Sequence, residues 1–263
     1  MSQNNESIAT WFCPKQGIQL NSHKTVHLTI HGYTYDHTYW TFPYQSPNYS
    51  YVNYVIENSG GDIVILNIDR IGIGLSSKPL ATDITVDANA NVISQLITNL
   101  HNGMSQNVQF VDIVLVGHSL GTLISWKIVS QSAYNRYVRG FIATSWLHLP
   151  NPIGTTAVVT LSYPTQLDPK FSQQSLPIGY LTTNRLNHTR QYLFYNINDT
   201  DPNVIQVDEE TKQTGTAGEI ATFGLAYSPT VTLVMPSNIS VLVVVGGHVT
   251  RYFRARHYSA CAK

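Results

Sequence analysis

The sequence predicts an α/β fold in which helices flank a mostly parallel sheet, with a further segment inserted between two strands of that core. Apolar runs of strand length recur along the chain, and they are continuous rather than alternating, as expected for strands buried on both faces. Helix-like stretches separate successive runs, and this alternation is typical of parallel sheets. The alternation stops between residues 146 and 235, where Pro, Tyr and Asn are frequent. We therefore predict an inserted lid there.

The individual elements divide the chain into three parts. The predicted core strands are 25–30, 62–68, 111–116, 138–145 and 239–245. One helix is predicted at 86–100, and a second directly follows the third strand, at 122–129. The first part of the core is then 1–145, the lid is 146–235 with a helical stretch at 216–226, and 236–263 holds the last core strand and an atypical, Arg-rich tail.

Composition excludes several classes of partner. Fifteen basic and fifteen acidic residues cancel among 263, and charged residues make up only 11% of the chain. A chain without a basic run lacks the charge pattern of a protein that binds nucleic acid or a membrane surface, so we expect small, mostly uncharged partners. The sequence contains no metal or nucleotide motif, and no metal or other cofactor is predicted.

The ends of the chain bear on its compartment. The amino terminus has neither the basic patch nor the apolar core of a signal peptide, and no later run reaches the length of a membrane span. We therefore expect a soluble, cytoplasmic protein. Cys13 and Cys261 match no metal or redox spacing, and either free thiols or one end-to-end disulfide fits them.

The most informative motif is Gly117-His118-Ser119-Leu120-Gly121, which follows a predicted strand and precedes a predicted helix. Glycines on both sides allow a sharp turn that holds the central serine in a strained conformation and lifts its hydroxyl to the tip. The G-x-S-x-G pattern in this setting predicts that Ser119 is a nucleophile.

Two further motifs precede this turn in a fixed order. They are His31-Gly32-Tyr33, at the end of a predicted strand, and Asp69-Arg70-Ile71-Gly72-Ile73-Gly74-Leu75-Ser76, at the end of the next. With the Ser119 turn, they give the chain a resemblance to the α/β-hydrolase fold over roughly residues 20–247. The segment from Tyr33 to Trp40, with Phe42-Pro43-Tyr44-Gln45 after it, is similar to a narrower group of hydrolases that is common in fungi.

The resemblance implies roles for particular residues. Ser119 becomes the nucleophile of a serine hydrolase, and the backbone N–H groups of Tyr33 and Leu120 form the oxyanion hole. The candidates for substrate contact are His31, Gly32, His118, Trp146 and His148. For His31 and His118 a packed structural role is the simpler interpretation. The aromatic residues that are candidates for an apolar pocket wall are Tyr33, Tyr35, Trp40, Trp146, Phe194 and Tyr195.

Two charged pairs near these motifs receive structural interpretations. The Asp69–Arg70 loop is expected to organise the backbone beside the site. Asp36 and His37 follow the first motif and are expected to form a solvated loop pair near the pocket mouth.

The carboxylate and histidine that would activate the serine are missing from their family positions. The family places the carboxylate after the strand corresponding to 239–245, but no Asp or Glu follows Glu219. Sixteen residues follow Gly247, too few for the helix, strand, histidine loop and closing helix that the family has there. We therefore expect the final strand and helix to be missing, which would expose an apolar sheet edge and favour self-association.

Three explanations stay open for this departure. The chain is a truncated or frame-shifted form of a longer secreted or secondary-metabolite hydrolase, or it uses a substitute base, or it binds a ligand without turning it over. The substitute base would be His248 or His257 in the tail, or His148 after the preceding strand. The lid residues Asp199, Asp201 and Asp208 are carboxylates with no spacing that favours them.

The function predicted from the sequence is therefore a serine hydrolase of esterase or lipase type, acting on a small apolar ester, thioester or lactone. The alternative is a catalytically impaired, hydrolase-like binding protein. A lyase or transferase on the same scaffold stays open, because a fold does not determine its chemistry.

Overall fold

A six-stranded sheet forms the centre of the protein in the computed structural model, which describes residues 6–104, 107–145, 152–226 and 236–246. The strands in chain order are β1 (Thr10–Cys13), β2 (Thr25–Ile30), β3 (Ile63–Ile68), β4 (Asp112–His118), β5 (Val138–Thr144), β6 (Ser162–Pro164), β7 (Tyr180–Thr183), β8 (Gly215–Thr216) and β9 (Ser240–Val244). The central sheet has the order β1-β3-β2-β4-β5-β9. All its strands are parallel except β1, which pairs antiparallel with β3.

The helices alternate with these strands as predicted. They are α1 (Ser46–Tyr49), α2 (Tyr51–Asn58), α3 (Val86–His101), α4 (Leu120–Ser130), α5 (Pro152–Thr160), α6 (Thr189–Phe194), α7 (Pro202–Thr211) and α8 (Ala217–Ala226). The predicted α/β class with a mostly parallel, helix-flanked sheet is confirmed. β1 was not predicted, because a four-residue edge strand carries almost no periodicity.

The core is densest on the face of the sheet that α3 and α4 cover. Leu28 of β2 lies in register with Leu66 of β3 and Leu115 of β4, and all three are buried. α3 buries Ile93 and Ile97 against this face. Its first turn is capped by the Thr85 hydroxyl, which accepts a hydrogen bond from the Ala88 N–H at 3.0 Å.

The opposite face has a smaller core. There α2 places Val52 in a buried cluster with Trp40, Ile65 and Val116. The central strand β4 therefore has packed side chains on both of its faces, as its continuous apolar sequence predicts.

Much of the segment between β5 and β9 forms a second, smaller unit. β6, β7 and β8 make an antiparallel three-stranded sheet, and α8 packs back onto α3. Thr222 of α8 accepts a hydrogen bond from the Val86 N–H at 3.0 Å, so the inserted segment caps a helix of the core. The division of the chain at 145 and 235 stays a prediction.

β9 is an exposed edge within the described residues. Its side chains are apolar except for Ser240, and Val241 to Val244 are 39–56% exposed. Among the helices that the structure describes, none has both the length and the apolar character needed to cross a bilayer. Cys13 is half-buried in β1, and Cys261 lies outside the described residues.

Candidate active site

Ser119 lies at a sharp turn between the central strand β4 and helix α4. Its backbone has φ 51° and ψ −116°, a left-handed conformation that is strained for a residue other than glycine. The Ser119 N–H donates to Thr144 O at 3.1 Å, and Ser119 O accepts from the Leu123 N–H at 3.1 Å. The strained turn is therefore fixed from both sides, by β5 and by the first turn of α4.

Two glycines make this turn sterically feasible. A Cβ atom on Gly121 would overlap the carbonyl oxygen of Ile30, and one on Gly117 would lie 2.7 Å from the backbone of Thr122. Any side chain at either position would push α4 away from the ends of β2 and β4. Close backbone approach therefore explains why glycine stands on both sides of the serine.

The loop after β2 lies directly against the serine. A Cβ atom on Gly32 would be 3.2 Å from Ser119 Cβ. The next residue, Tyr33, and the first residue of α4, Leu120, both have backbone N–H groups without an acceptor among the described residues. Unpaired N–H groups at a helix start and in an adjoining loop are the donors that a developing oxyanion requires.

Arg70 stabilises this loop through hydrogen bonds to its backbone. It is completely buried, and its guanidinium donates to the carbonyl oxygens of His31 and Gly32, each at 3.1 Å. It also forms an ion pair with Glu219 of α8, which is 1% exposed. The expected structural role of the Asp69–Arg70 loop thus has a specific form, in which Arg70 joins the loop after β2 to the inserted segment.

His31 is used entirely by this framework. Its Nε2 accepts from the Arg70 N–H at 3.0 Å, so Nδ1 carries the proton and donates to Gly32 O at 3.0 Å. Burial and the neighbouring Arg70 charge hold the pKa of His31 well below its ordinary value. The neutral His31 side chain therefore shapes the loop.

His118 packs beneath the serine turn. Its Nδ1 lies 2.9 Å from the Tyr39 hydroxyl and 3.1 Å from Thr144 Oγ1, and its ring stacks on Tyr39 with centroids 4.2 Å apart. Burial lowers the pKa of His118 to about 4, so the ring is neutral near pH 7.

The expectation that Asp36 and His37 form a solvated pair is wrong. Asp36 is 5% exposed and caps the following turn, accepting from the Thr38 N–H at 2.8 Å. His37 Nδ1 donates to Asp69 Oδ1 at 2.8 Å, and its ring stacks on Trp11. Asp69, which approaches from the next strand, was the partner that the local sequence did not reveal.

The cluster of Asp36, His37 and Asp69 has two consequences, one for the charge of His37 and one for metal binding. Burial alone would lower the pKa of His37, but the hydrogen bond and charge of Asp69 outweigh it and raise the pKa. Ligand atoms of Asp36, His37 and Asp69 lie within 4.8 Å of one another. His37 and Asp69 are hydrogen-bonded to each other, and Asp36 is bonded to Thr38, so mutual hydrogen bonding explains the grouping.

The described residues do not include a base for Ser119. The two described histidines beside the turn bond other groups: His31 bonds Gly32 and Arg70, and the Nδ1 of His118 lies against Tyr39 and Thr144. His148, His248 and His257, the three candidate bases, lie outside the described residues, as does Trp146. The three lid carboxylates have other partners: Asp199 accepts from the Asn196 side-chain amide, Asp201 caps α7, and Asp208 pairs with the buried Arg190.

Four of the aromatic candidates lie in or against the loop after Gly32. Tyr33, Tyr35 and Trp40 are buried, and the Tyr35 ring lies 5.7 Å from Phe194. A small cavity of about 10 Å³ adjoins Tyr33, and its walls are Tyr33, Val158, Val159, Glu219, Ile220 and Phe223. A larger cleft of about 460 Å³ lies between α6 and α7.

Sequence reasoning did not identify the buried partners of the loop. Arg190 is 18 positions from Asp208, and Arg70 is 149 positions from Glu219. A charged residue in a charge-poor chain is a weak signal of burial, and nothing in the local sequence indicates its partner.

The comparisons with known proteins agree with this architecture. The model of the alpha/beta hydrolase family matches residues 28–244. No match to the sequence was found among curated proteins.

Similar solved structures have low sequence identity and therefore inform on the fold alone. A soluble variant of monoglyceride lipase from Saccharomyces cerevisiae has 14% identity and a TM-score of 0.54, over 92% of this chain and 83% of that one. For E-2-(acetamidomethylene)succinate hydrolase the values are 16% and 0.52, over 93% and 94%. For tomato methylketone synthase I they are 15% and 0.51, over 84% and 78%.

Proposed function

The chain belongs to the alpha/beta hydrolase family, and we propose that it is a serine hydrolase of esterase or lipase type with Ser119 as its nucleophile. The observation that carries this proposal is the strained Ser119 backbone at φ 51°, with the unpaired N–H groups of Leu120 and Tyr33 on either side. A non-glycine residue keeps such a conformation only where the surrounding structure imposes it, and strain of this kind is concentrated at functional sites.

The proposed reaction follows from this geometry. Ser119 Oγ attacks the carbonyl carbon of an ester as a base removes its proton, and the carbonyl electron pair moves onto oxygen. The N–H groups of Leu120 and Tyr33 stabilise that oxyanion, each by roughly 3 kcal/mol. As the oxyanion collapses, the base returns the proton to the departing oxygen, which leaves as a neutral alcohol. The remaining acyl-serine is then hydrolysed by water to the acid and free Ser119.

A base is required to accept the serine proton, and we propose His248 or His257 for this role, with His148 as a third candidate. The described histidines beside the turn are poorly suited to it. His31 uses both of its nitrogens in backbone hydrogen bonds, and His118 has its Nδ1 beside Tyr39 and a pKa of about 4.

We propose a small, uncharged, apolar substrate: an ester, a thioester or a lactone. The cavity beside Tyr33 has mainly apolar walls, formed by Val158, Val159, Ile220 and Phe223, and its one charged wall residue, Glu219, is paired with Arg70. Apolar walls beside the loop after Gly32 favour an uncharged group over a charged one, because burying an unpaired charge is costly.

Labelling with a fluorophosphonate probe tests the proposal. We expect the folded protein to be labelled at Ser119 and the Ser119→Ala variant to be unlabelled. Ser130→Ala is the matched control, because Ser130 ends the same helix and its hydroxyl donates to Lys127 O. Labelling that persists in Ser119→Ala would contradict the proposed nucleophile.

Histidine variants then assign the base. Among His148→Ala, His248→Ala and His257→Ala, we expect one to lower the labelling rate at least 100-fold. Absence of labelling in folded wild-type protein would favour the alternative, a hydrolase-like protein that binds a ligand without turning it over.

We further propose that the protein self-associates through β9, whose apolar side chains are exposed at the sheet edge. Light scattering over a range of concentrations should then give an apparent mass that rises above that of one chain. A constant monomer mass would contradict this proposal. Cytoplasmic localisation stays a prediction from the sequence.

A further inference from the structure

Thr34 follows Tyr33 in the loop after β2. It has a backbone conformation that is unfavourable for its β-branched side chain. Its φ is +60°, and for a β-branched residue this left-handed conformation is a genuine outlier. Thr34 is completely buried. A strain of order 1–3 kcal/mol persists only where contacts impose it. The contacts of Thr34 therefore fix the loop one residue beyond the Tyr33 N–H, whose own peptide plane is held at Gly32 O by Arg70 and His31.

Those contacts come from the inserted segment. One guanidinium nitrogen of Arg190, in α6, donates to Thr34 Oγ1 at 2.9 Å and to Thr34 O at 3.2 Å. The Gln213 N–H, just before β8, donates to the same carbonyl oxygen at 2.9 Å. Thr34 Oγ1 and Thr34 O therefore both accept hydrogen bonds from residues more than 150 positions away along the chain.

Arg190 is itself held firmly. Its Nε and second terminal nitrogen donate to the two carboxylate oxygens of Asp208 in α7, both at 2.8 Å. The guanidinium carbon lies 4.4 Å from the centre of the Tyr35 ring. Both charged side chains are almost completely buried, so neither is free to exchange its partner for water.

We propose that Arg190 and Asp208 are positioning residues that hold Thr34, and through it the oxyanion N–H of Tyr33, in place for catalysis. This inference rests on the proposed function, because it assigns to the inserted segment the task of orienting a donor in the hydrolase site. Neither side chain is required to touch the substrate.

The test compares kcat and KM on a short-chain ester for Arg190→Met and Asp208→Asn. We expect kcat to fall 10–100-fold in each, with KM within twofold, because a displaced donor weakens stabilisation of the transition state more than binding of the ground state. Arg185→Met is the matched control, since Arg185 is exposed in the same segment, and it should leave both constants unchanged.

A double-mutant cycle separates positioning from general destabilisation. Thr34→Val keeps the β-branched shape and removes the Oγ1 acceptor. Its kcat loss and that of Arg190→Met should be clearly less than multiplicative, because both changes break the same contact. Arg190→Lys should restore part of kcat relative to Arg190→Met. Fully multiplicative losses, or a folded Arg190→Met protein with wild-type kcat, would overturn the inference.

Hydrogen exchange distinguishes a failure of this inference from a failure of the proposed nucleophile. Because the Gln213 N–H donates to Thr34 O, its exchange should accelerate at least tenfold in Asp208→Asn, even if wild-type protein is not labelled by the probe. Labelled wild-type protein with unchanged kcat and unchanged exchange in this variant would reject the positioning role and leave the proposed function standing. If Arg190→Met does not fold, Asp208→Asn and Arg190→Lys carry both measurements.

Discussion

Ser119 stands between two unlike sides of the central sheet. On one side, β2 and β3 end in loops that contain buried, paired charged side chains, including Arg70 and Asp69. On the other side, β5 is followed by β9, where every residue is exposed. Between residues 236 and 246 there is no titratable side chain at all.

From this difference we expect the proposed half-site, Ser119 with the N–H groups of Tyr33 and Leu120, to depend on the buried β2–β3 side, called the closed side, more than on β9. The buried guanidinium groups of Arg70 and Arg190 donate hydrogen bonds to the loop after β2. Each is paired with an acid from the inserted segment. Substitutions on the closed side should therefore destroy the half-site, and substitutions on β9 should leave it intact.

The largest effect is expected at Gly121 on the closed side. Gly121→Ala places a Cβ atom on the Ile30 carbonyl oxygen, so we expect it to lower the free energy of unfolding by more than about 4 kcal/mol or to prevent folding. Gly224→Ala is the matched control. Gly224 lies in α8 with nothing within 4 Å of the added atom, and alanine there should stabilise by up to about 1 kcal/mol. Denaturant unfolding measures both, and equal effects would refute the close packing of Gly121 against Ile30.

A smaller loss is expected at Glu219, which joins the inserted segment to Arg70. Glu219→Gln leaves the buried Arg70 charge uncompensated and should destabilise the protein by about 3–5 kcal/mol. The exposed pair of Arg139 and Asp112 is the comparison. Asp112→Asn should change stability by less than about 0.5 kcal/mol. Thermal and denaturant unfolding compare the two, and a Glu219→Gln protein as stable as wild type would show that the ion pair does not fasten the two units together.

The smallest effect is expected on β9. Leu242 is 56% exposed, whereas Leu115 at the centre of β4 is fully buried. Leu242→Ala should therefore destabilise by less than about 1 kcal/mol, and Leu115→Ala by about 2–5 kcal/mol. Probe labelling of folded Leu242→Ala at the wild-type rate would sharpen the comparison. A loss of labelling there would show that β9 supports the nucleophile after all.

The local sequence was sufficient wherever a single element or a short turn sets the outcome. The predicted strand at 25–30 and the predicted helix at 86–100 appear as β2 and α3, because apolar runs of that length have few other ways to be buried. β1 and the three short strands β6, β7 and β8 were not predicted, because two to four residues carry no useful periodicity.

Sequence reasoning was weaker wherever a polar residue depends on a distant partner. His37 was expected in solvent, and instead it donates to Asp69 from the neighbouring strand. Arg190 drew no prediction, yet it bonds Thr34 from 156 positions away. Hydrogen bonds and ion pairs act over about 3 Å in space, and separation along the chain gives no measure of that distance.

By itself, the sequence determined the α/β class, the position of Ser119 in a strand-turn-helix, and the glycines that the turn needs. These features are local, since they depend on periodicity and on backbone conformations available within a few residues. Only the tertiary structure decided which groups surround the serine: Arg70 under Gly32, Glu219 on Arg70, and Arg190 on Thr34. Burying a charged or polar group without a partner is costly. Each of these groups is therefore paired with a residue that only the folded chain brings close to it.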